Sequence, residues 1–251
     1  MINEIKETYR KRVDFHRSEK AMTLRIRAIC RRLVSADFEH LPEEKRLKAI
    51  KDDADKLYKA LGTLKHPQAA YAAEYLAPLL AARKSLEDER KAAEKMLSKL
   101  AKQLPVWEWV EDVRGVGPLA LGQIIGEAGD LGNYANPAKL WKRMGLAVIN
   151  GGRQRKVAGA EALDHGYSPE RRSVMYVIGD AVIKCGGTYA ELYRERKLVE
   201  QEKMPDATKM HWHNRAKRYM EKRILRDLWR AWRACEGLGE DDTHPPIALA
   251  S

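Results

Sequence analysis

"VEDVRGVGPLALGQIIGEAGDLG", residues 110–132, carries six glycines and one proline between apolar positions. The chain before this stretch has a composition typical of uninterrupted helix. A short helical pattern precedes Arg114-Gly115-Val116-Gly117-Pro118, and a second helical pattern follows it. Glycines permit a tight turn, and proline suits the first turn of the helix that comes next. The stretch therefore predicts a helix-hairpin-helix.

The turn of this motif is a candidate phosphate-binding site. Backbone N–H groups at a helix N-terminus bind phosphate oxygens through hydrogen bonds and the helix dipole. We predict that Arg114, Gly115 and Gly117 make the contact. Such a contact carries no sequence information, so it would anchor the protein on a nucleic-acid backbone. The same spacing also fits an ordinary turn between two helices.

Residues 1–104 have helical periodicity throughout. Apolar residues recur at three- and four-residue steps within residues 2–34, within 42–61, and from about 68 to about 103. The third helix is so long that another helix must run along it. We therefore predict an antiparallel helical hairpin or coiled coil, which would serve in dimerisation or as a spacer arm. A simple three-helix bundle is the alternative.

Two basic segments follow the glycine-rich stretch. A short helix is predicted at residues 138–144, with its cations on the exposed side. A flexible loop or short β-hairpin is predicted near residues 147–158, with basic residues at its tip that could reach into a groove. The predicted nucleic-acid contacts of these segments are Lys139, Lys142, Arg143, Arg153, Arg155 and Lys156.

The last helical segment carries a basic stripe. Six cations recur there at three- and four-residue steps, which places them along one face of a helix. Apolar residues occupy another face and are expected to pack inward. We predict phosphate binding by the stripe, and an ordinary solvated face is the alternative. The six residues are Arg215, Arg218, Lys222, Arg226, Arg230 and Arg233.

The overall composition agrees with a polyanion-binding role. The chain has 47 Lys and Arg against 36 Asp and Glu, a formal net charge of +11, which attracts nucleic acid or simply keeps the protein in solution. Three cysteines without CxxC spacing predict neither disulfides nor a zinc site, and we expect no cofactor or metal. No apolar run approaches the roughly 18 residues of a membrane span, so we expect a cytoplasmic protein without a membrane partner.

Five segments in order resemble the carboxy-terminal transposase domain of the DEDD-type insertion-sequence transposases. This is the bridge-RNA-guided recombinase family, which includes the Piv-type DNA invertases. The resemblance covers about residues 106–234 and implies binding of DNA, with RNA as a further ligand. The segments are "RGVGPLALGQIIGEAGDLGNYANPAKLWKRMGLA", "NGGRQRK", "PERRSVMYVIGDAVIK", "TYAELYRERK" and "AKRYMEKRILRDLWRAWR".

Two departures from the family argue against catalysis. Family members begin with a RuvC-like nuclease domain whose four acidic residues bind magnesium, whereas residues 1–104 show only helical pattern. The resemblance also implies a nucleophilic serine within "GLAVINGGRQRKVAG", where this sequence has Asn150. An amide cannot form the intermediate that a hydroxyl forms in phosphodiester exchange. Ser168 and Ser173 are interpreted as a helix N-cap and an ordinary helix residue.

The sequence thus predicts a mainly α protein with a helical arm at 1–104, a nucleic-acid-binding domain at 105–235 and a disordered tail at 236–251. We expect a nucleic-acid-binding protein without its own catalytic centre, associating as a dimer or higher oligomer through the arm. One alternative is an active recombinase subunit with a substitute or partner-supplied nucleophile. Another is a structural helical protein that binds partner proteins and keeps a degenerate transposase fold.

Overall fold

The computed structural model describes residues 1–238, and the fold is mainly α, as predicted. Within this range the regular structure consists of α-helices, two short 3-10 turns and one β-hairpin. The helices are α1 (Ile2–Val34), α2 (Glu43–Ala60), α3 (Ala69–Ala101), α4 (Trp107–Glu111), α5 (Pro118–Ala128), α6 (Pro137–Arg143), α7 (Glu161–His165), α8 (Pro169–Cys185), α9 (Thr188–Lys203) and α10 (Lys209–Cys235).

The predicted tail begins inside the described range and continues beyond it. Glu236 follows α10 directly, and Gly237 adopts a positive φ of 66°. The N–H of Leu238 donates a hydrogen bond of 2.9 Å to the carbonyl of Arg233, which ends the helix in an ordered turn. The rest of the tail, for which disorder is predicted, lies outside the described residues.

The chain forms two compact units. Among the described residues, the bundle unit is Arg10–Glu94, and the terminal unit comprises Met1–Tyr9 together with residues 95–238. This division does not coincide with the predicted boundary between residues 104 and 105, because both ends of the helical arm pack within the terminal unit. There the Tyr9 hydroxyl donates a hydrogen bond of 2.8 Å to Glu127 Oε1.

The bundle unit contains α2 and most of α1 and α3, and it has its own apolar core. Arg12 pairs with Glu94 at 3.1 Å and Arg90 with Glu19 at 2.7 Å, so α1 and α3 run antiparallel. α2 completes a three-helix bundle, the alternative that the periodicity left open. α3 continues through Pro78 without a break. The core residues include Ile26, Cys30, Val34, Ala54, Leu57, Ala72 and Leu76.

Helix α10 is the centre of the terminal unit. It contacts α4, α6, α8 and α9, and α5 packs against α8. Met220, Ile224 and Leu228 are buried, as the apolar stripe predicts. The same helix also buries Lys217 and Glu221 completely, which its apolar pattern does not predict.

Three glycines of residues 110–132, namely Gly115, Gly122 and Gly126, are positions of close packing. α4 and α5, joined by a short turn, agree with the two helices expected on either side of the glycine turn. Gly115, in the turn, has a φ of +86°, and a Cβ there would lie 2.6 Å from the Cα of Val182 in α8. Gly122 and Gly126 on α5 likewise face side chains of α3 and α1. The glycines therefore let three other helices approach this segment closely.

The segment after α6 is a β-hairpin, one of the two forms that the sequence allows. Strand β1 (Val148–Ile149) pairs antiparallel with β2 (Gly152–Arg153). Its two turn residues, Asn150 and Gly151, have φ values of 51° and 73°. Two positive φ values in a two-residue turn strongly favour the pair Asn-Gly. The turn thus gives a conformational reason for asparagine at position 150.

Candidate nucleic-acid interface

A cleft of about 280 Å³ lies among the hairpin segment, α8 and α10. Five of its lining residues are cations, the other four are neutral, and none is a carboxylate. We call it the basic cleft. Its lining residues are Arg153, Gln154, Arg155, Lys156, Tyr167, Arg172, Tyr176, Asn214 and Arg218.

The cations of the basic cleft form a rim and a floor. Arg153, Arg155 and Lys156 are exposed and form the rim. Arg172, whose side chain is 14% exposed, and the half-buried Arg218 form the floor. The cleft therefore unites the predicted basic tip with one residue of the predicted basic stripe.

Gln154 holds the rim in place. The residue is 2% exposed, and its Nε2 donates hydrogen bonds to the carbonyls of Lys142, at 3.0 Å, and His165. Its Oε1 accepts from the N–H of Ala147 at 3.2 Å, and its own N–H donates to the Ala147 carbonyl at 3.0 Å. Neighbouring side chains in an extended segment point to opposite sides. With Gln154 fixed inward, the basic residues next to it are exposed.

Buried charges lie beneath the floor. Arg172 Nη2 is 2.9 Å from Glu221 Oε2. Burial raises the pKa of Glu221 to about 7, although the Arg172 guanidinium acts in the opposite direction. Lys217 Nζ lies 2.5 Å from Asp180 Oδ1 and 3.3 Å from the centre of the Tyr176 ring. These contacts fix the side chains that form the bottom of the cleft.

Buried donors of the floor and both carboxylate oxygens of Glu221 beneath it make no hydrogen bond within residues 1–238. Arg172 Nη1 and Arg218 Nη2 are buried, and neither has a hydrogen-bond partner within residues 1–238. Burial, and then the nearby charge of Arg172, lowers the pKa of Arg218. Guanidinium groups pair well with the oxygens of carboxylates and phosphates. An oxyanion in the cleft would pair with the open portions of the lining cations and offset the local excess of positive charge.

The residues predicted at the turn between α4 and α5 do not line the basic cleft. Gly115 faces the backbone of α8, and the side chain of Arg114 lies beside Gly187. Gly117 is exposed, and a Cβ added there would have no neighbour within 4 Å. No side chain caps the N-terminus of α5. Of the three predicted residues, Arg114 and Gly117 are thus exposed, whereas Gly115 packs against α8.

The cations of α6 form a separate surface. Lys139, Lys142 and Arg143 are exposed, as predicted for this helix. Arg143 Nε donates a hydrogen bond of 2.9 Å to the carbonyl of Glu127, which ties this side chain to the end of α5. None of the three side chains lines the basic cleft.

Most of the predicted stripe on α10 has contacts within the terminal unit. Arg215 Nε lies 2.5 Å from Glu200 Oε2. Lys222 Nζ lies 5.2 Å from the centre of the Trp141 ring, and burial lowers the pKa of Lys222 to about 8. Arg218 alone among the six stripe residues lines the basic cleft.

The cations at the C-terminal end of the stripe also contact other residues of the terminal unit or are partly buried. Arg226 pairs with Asp227 at 2.7 Å, and the Arg233 guanidinium lies 5.0 Å from the centre of the Trp229 ring. Arg230 is half-buried. The expected solvent-facing row of cations is therefore corrected to a partly buried one, because α10 is surrounded by other helices.

Five cleft residues were not predicted from the sequence, namely Gln154, Tyr167, Arg172, Tyr176 and Asn214. Arg172 and Tyr176 are four residues apart on α8, a spacing that places them on the same helix face. That spacing is a signal that sequence reasoning could have used. The contribution of Asn214 depends on how α10 packs, which no local pattern reveals.

The hydroxyls considered as nucleophiles have structural contacts. Ser168 is the N-cap of α8 and accepts a hydrogen bond of 3.4 Å from the N–H of Arg171. Ser173 Oγ donates to the carbonyl of Glu170 at 2.7 Å. In the part of the chain that the structure describes, no group of His, Cys, Asp and Glu side chains could hold a metal ion. No helix there is long and apolar enough to cross a membrane.

Comparison with protein-family models, with characterised proteins and with solved structures gives no match to this chain.

Proposed function

We propose that the protein binds the phosphate backbone of a nucleic acid in the basic cleft. The observation that carries this proposal is the convergence of five cations without a lining carboxylate, two of them with buried nitrogens that lack an acceptor among the described residues. Phosphate oxygens supply acceptors for the exposed cations of the rim and a negative charge opposite all five cations. The net charge of +11 adds a long-range attraction for any polyanion.

A relationship to the insertion-sequence transposases is part of the proposal. The ordered segments between residues 106 and 234 support it, and DNA is the ligand that this resemblance implies, with RNA as the alternative. Asn150 stands where the resemblance implies a nucleophilic serine, and an amide cannot take that role, which supports binding without a nucleophile of its own. The proposal also includes that copies of the protein form a dimer or higher oligomer through residues 1–104 and that the protein acts in the cytoplasm.

Titration of a fluorescent oligonucleotide tests the proposal. We expect anisotropy to report binding whose log affinity falls linearly with log salt concentration, with a slope of roughly 0.7 to 0.9 for each phosphate contact. The variant Arg153→Ala/Arg155→Ala removes two rim contacts and should lower that slope by roughly two. Nucleic acid that copurifies with the protein at low salt would identify the preferred kind.

The matched control is Arg194→Ala/Lys203→Ala, which removes two exposed cations of α9. It changes the net charge equally but leaves the cleft intact, so its affinity should stay close to that of the wild type. Equal losses of affinity in both variants would show that binding depends on the overall positive charge and not on the cleft. No binding of DNA or RNA at low salt would refute the proposal.

A further inference from the structure

We infer that the basic cleft accepts an unpaired nucleotide, and that the protein therefore binds single-stranded nucleic acid in preference to a duplex. This inference rests on the proposed function, because it specifies which form of nucleic acid the same cleft takes. It follows from the depth of the floor cations and from the tyrosines beside them.

The depth of the floor favours a single strand over a duplex as the ligand. The cleft volume of about 280 Å³ is close to the lower end of the range of about 300–1,000 Å³ that is typical of small-molecule sites. A double helix cannot enter such a space, so its phosphates would reach only the exposed rim. The floor side chains of Arg172 and Arg218 are less exposed than the rim, so a group that inserts reaches their open portions better than a duplex does. An unstacked nucleotide is such a group.

Two aromatic residues in the cleft suit an inserted base. Tyr167 and Tyr176 both line the cavity, and Tyr176 is 41% exposed. Proteins that bind single strands combine a positively charged groove with aromatic side chains on which bases stack. In a duplex the bases are already stacked on one another and cannot use these rings. The tyrosines therefore favour the unpaired form specifically.

The ring of Tyr176 is held before any ligand arrives. Lys217 Nζ lies 3.3 Å from its centre, and the Arg172 guanidinium lies 5.7 Å from it. Lys217 is itself fixed by burial and by its ion pair with Asp180. A side chain that is already ordered loses little conformational entropy on binding. The exposed amide of Asn214 adds a donor and an acceptor for the edge of a base.

Anisotropy titrations of one labelled oligonucleotide, alone and annealed to its complement, test the inference at a single salt concentration. We expect the single strand to bind about tenfold more tightly than the duplex, the effect of one or two stacked bases. Salt-dependent binding in which the duplex is equal or tighter refutes the inference and leaves the proposed function standing. Absence of binding to either form refutes both.

Variants at Tyr176 test whether its ring causes the preference for single-stranded nucleic acid. Tyr176→Leu should weaken single-strand binding roughly fivefold or more and leave duplex binding unchanged, whereas Tyr176→Phe should keep the preference because it keeps the ring. Thermal unfolding of each variant shows whether the terminal unit is intact. An unchanged preference in a folded Tyr176→Leu protein contradicts the assigned role.

Cross-linking of the wild-type protein gives a readout that needs no variant. A single strand carrying 5-iodouracil forms covalent links to adjacent aromatic side chains under near-ultraviolet light. We expect mass spectrometry to find the linked base on Tyr167 or Tyr176. Links found only on peptides outside the basic cleft would overturn the inference.

Discussion

Gly115 lies where the turn between α4 and α5 meets the backbone of α8. The turn requires a positive φ, which residues with a Cβ adopt only at a cost. The neighbouring α8 leaves no room for a Cβ either. Two independent constraints thus select glycine at this position without any ligand. Gly117, two residues later, is subject to neither constraint.

Replacing each of these two glycines tests whether packing and backbone conformation constrain Gly115 but not Gly117. Gly115→Ala should lower the free energy of unfolding by about 2–4 kcal/mol, the combined cost of a left-handed φ and an overpacked contact. Gly117→Ala, at a φ of −87° and in open space, should change it by less than about 1 kcal/mol. Urea denaturation measures both values. Similar losses for the two variants would contradict this account of Gly115.

Glu221 should make stability depend on pH. Its pKa rises from an ordinary value of 4.5 to about 7 in the folded protein, so between these values the folded state holds a proton that the unfolded state has released. Stability therefore falls as the pH rises from about 5 to about 7. Glu221→Gln, which carries no ionisable group, should reduce this slope.

Thermal unfolding at several pH values across that window measures the effect. The readout is the difference in slope, because the substitution also alters the contact with Arg172 and can change stability at every pH. Identical slopes in the wild type and Glu221→Gln would show that this carboxyl is ionised throughout the range.

At the scale of elements, helical periodicity predicts where most helices lie in the sequence but not which other helices pack against them. α2 was predicted at 42–61 and spans Glu43–Ala60, because its apolar spacing, first-turn acids and terminal glycine all agree. The spacing of α10 correctly predicts one face for its six cations. It cannot predict that other helices cover much of that face, since burial depends on tertiary packing. Lys217 and Glu221 were missed for the same reason.

The hairpin segment illustrates the same limit for the site. The tip residues Arg153, Arg155 and Lys156 were predicted as contacts from charge alone, and the structure places them at one cleft. Gln154, which orders them, has no sequence signal, since a glutamine between arginines is normally solvated. Its importance comes entirely from the backbone groups that surround it.

Gln154→Leu tests whether the rim must be ordered. The substitution keeps the net charge but removes the hydrogen bonds that the Gln154 amide makes with the Ala147 N–H and with the carbonyls of Lys142 and His165. Losing these bonds should loosen the segment and weaken nucleic-acid binding about fivefold. The exposed Gln103→Leu serves as control and should bind normally. Wild-type affinity in Gln154→Leu would mean that the rim acts as a flexible charged loop.

At the scale of the whole molecule, the predicted domain boundary followed a change in composition, whereas the compact units follow packing. α1 and α3 each belong to both units, because Tyr9 and Leu97 contact residues of the glycine-rich stretch. A helix that crosses a boundary keeps one composition along its length. Composition alone therefore could not place the division at residues 9–10 and 94–95.

The separation of the basic cleft into an exposed rim and a buried floor has a kinetic consequence. Exposed charges accelerate encounter, whereas buried contacts slow release. Rim variants such as Arg153→Ala should thus lower the association rate constant, most strongly at low salt. Arg172→Lys, which keeps the charge but loses the guanidinium, should mainly raise the dissociation rate constant. Stopped-flow measurements separate the two, and the protein would capture a strand with one set of side chains and retain it with another.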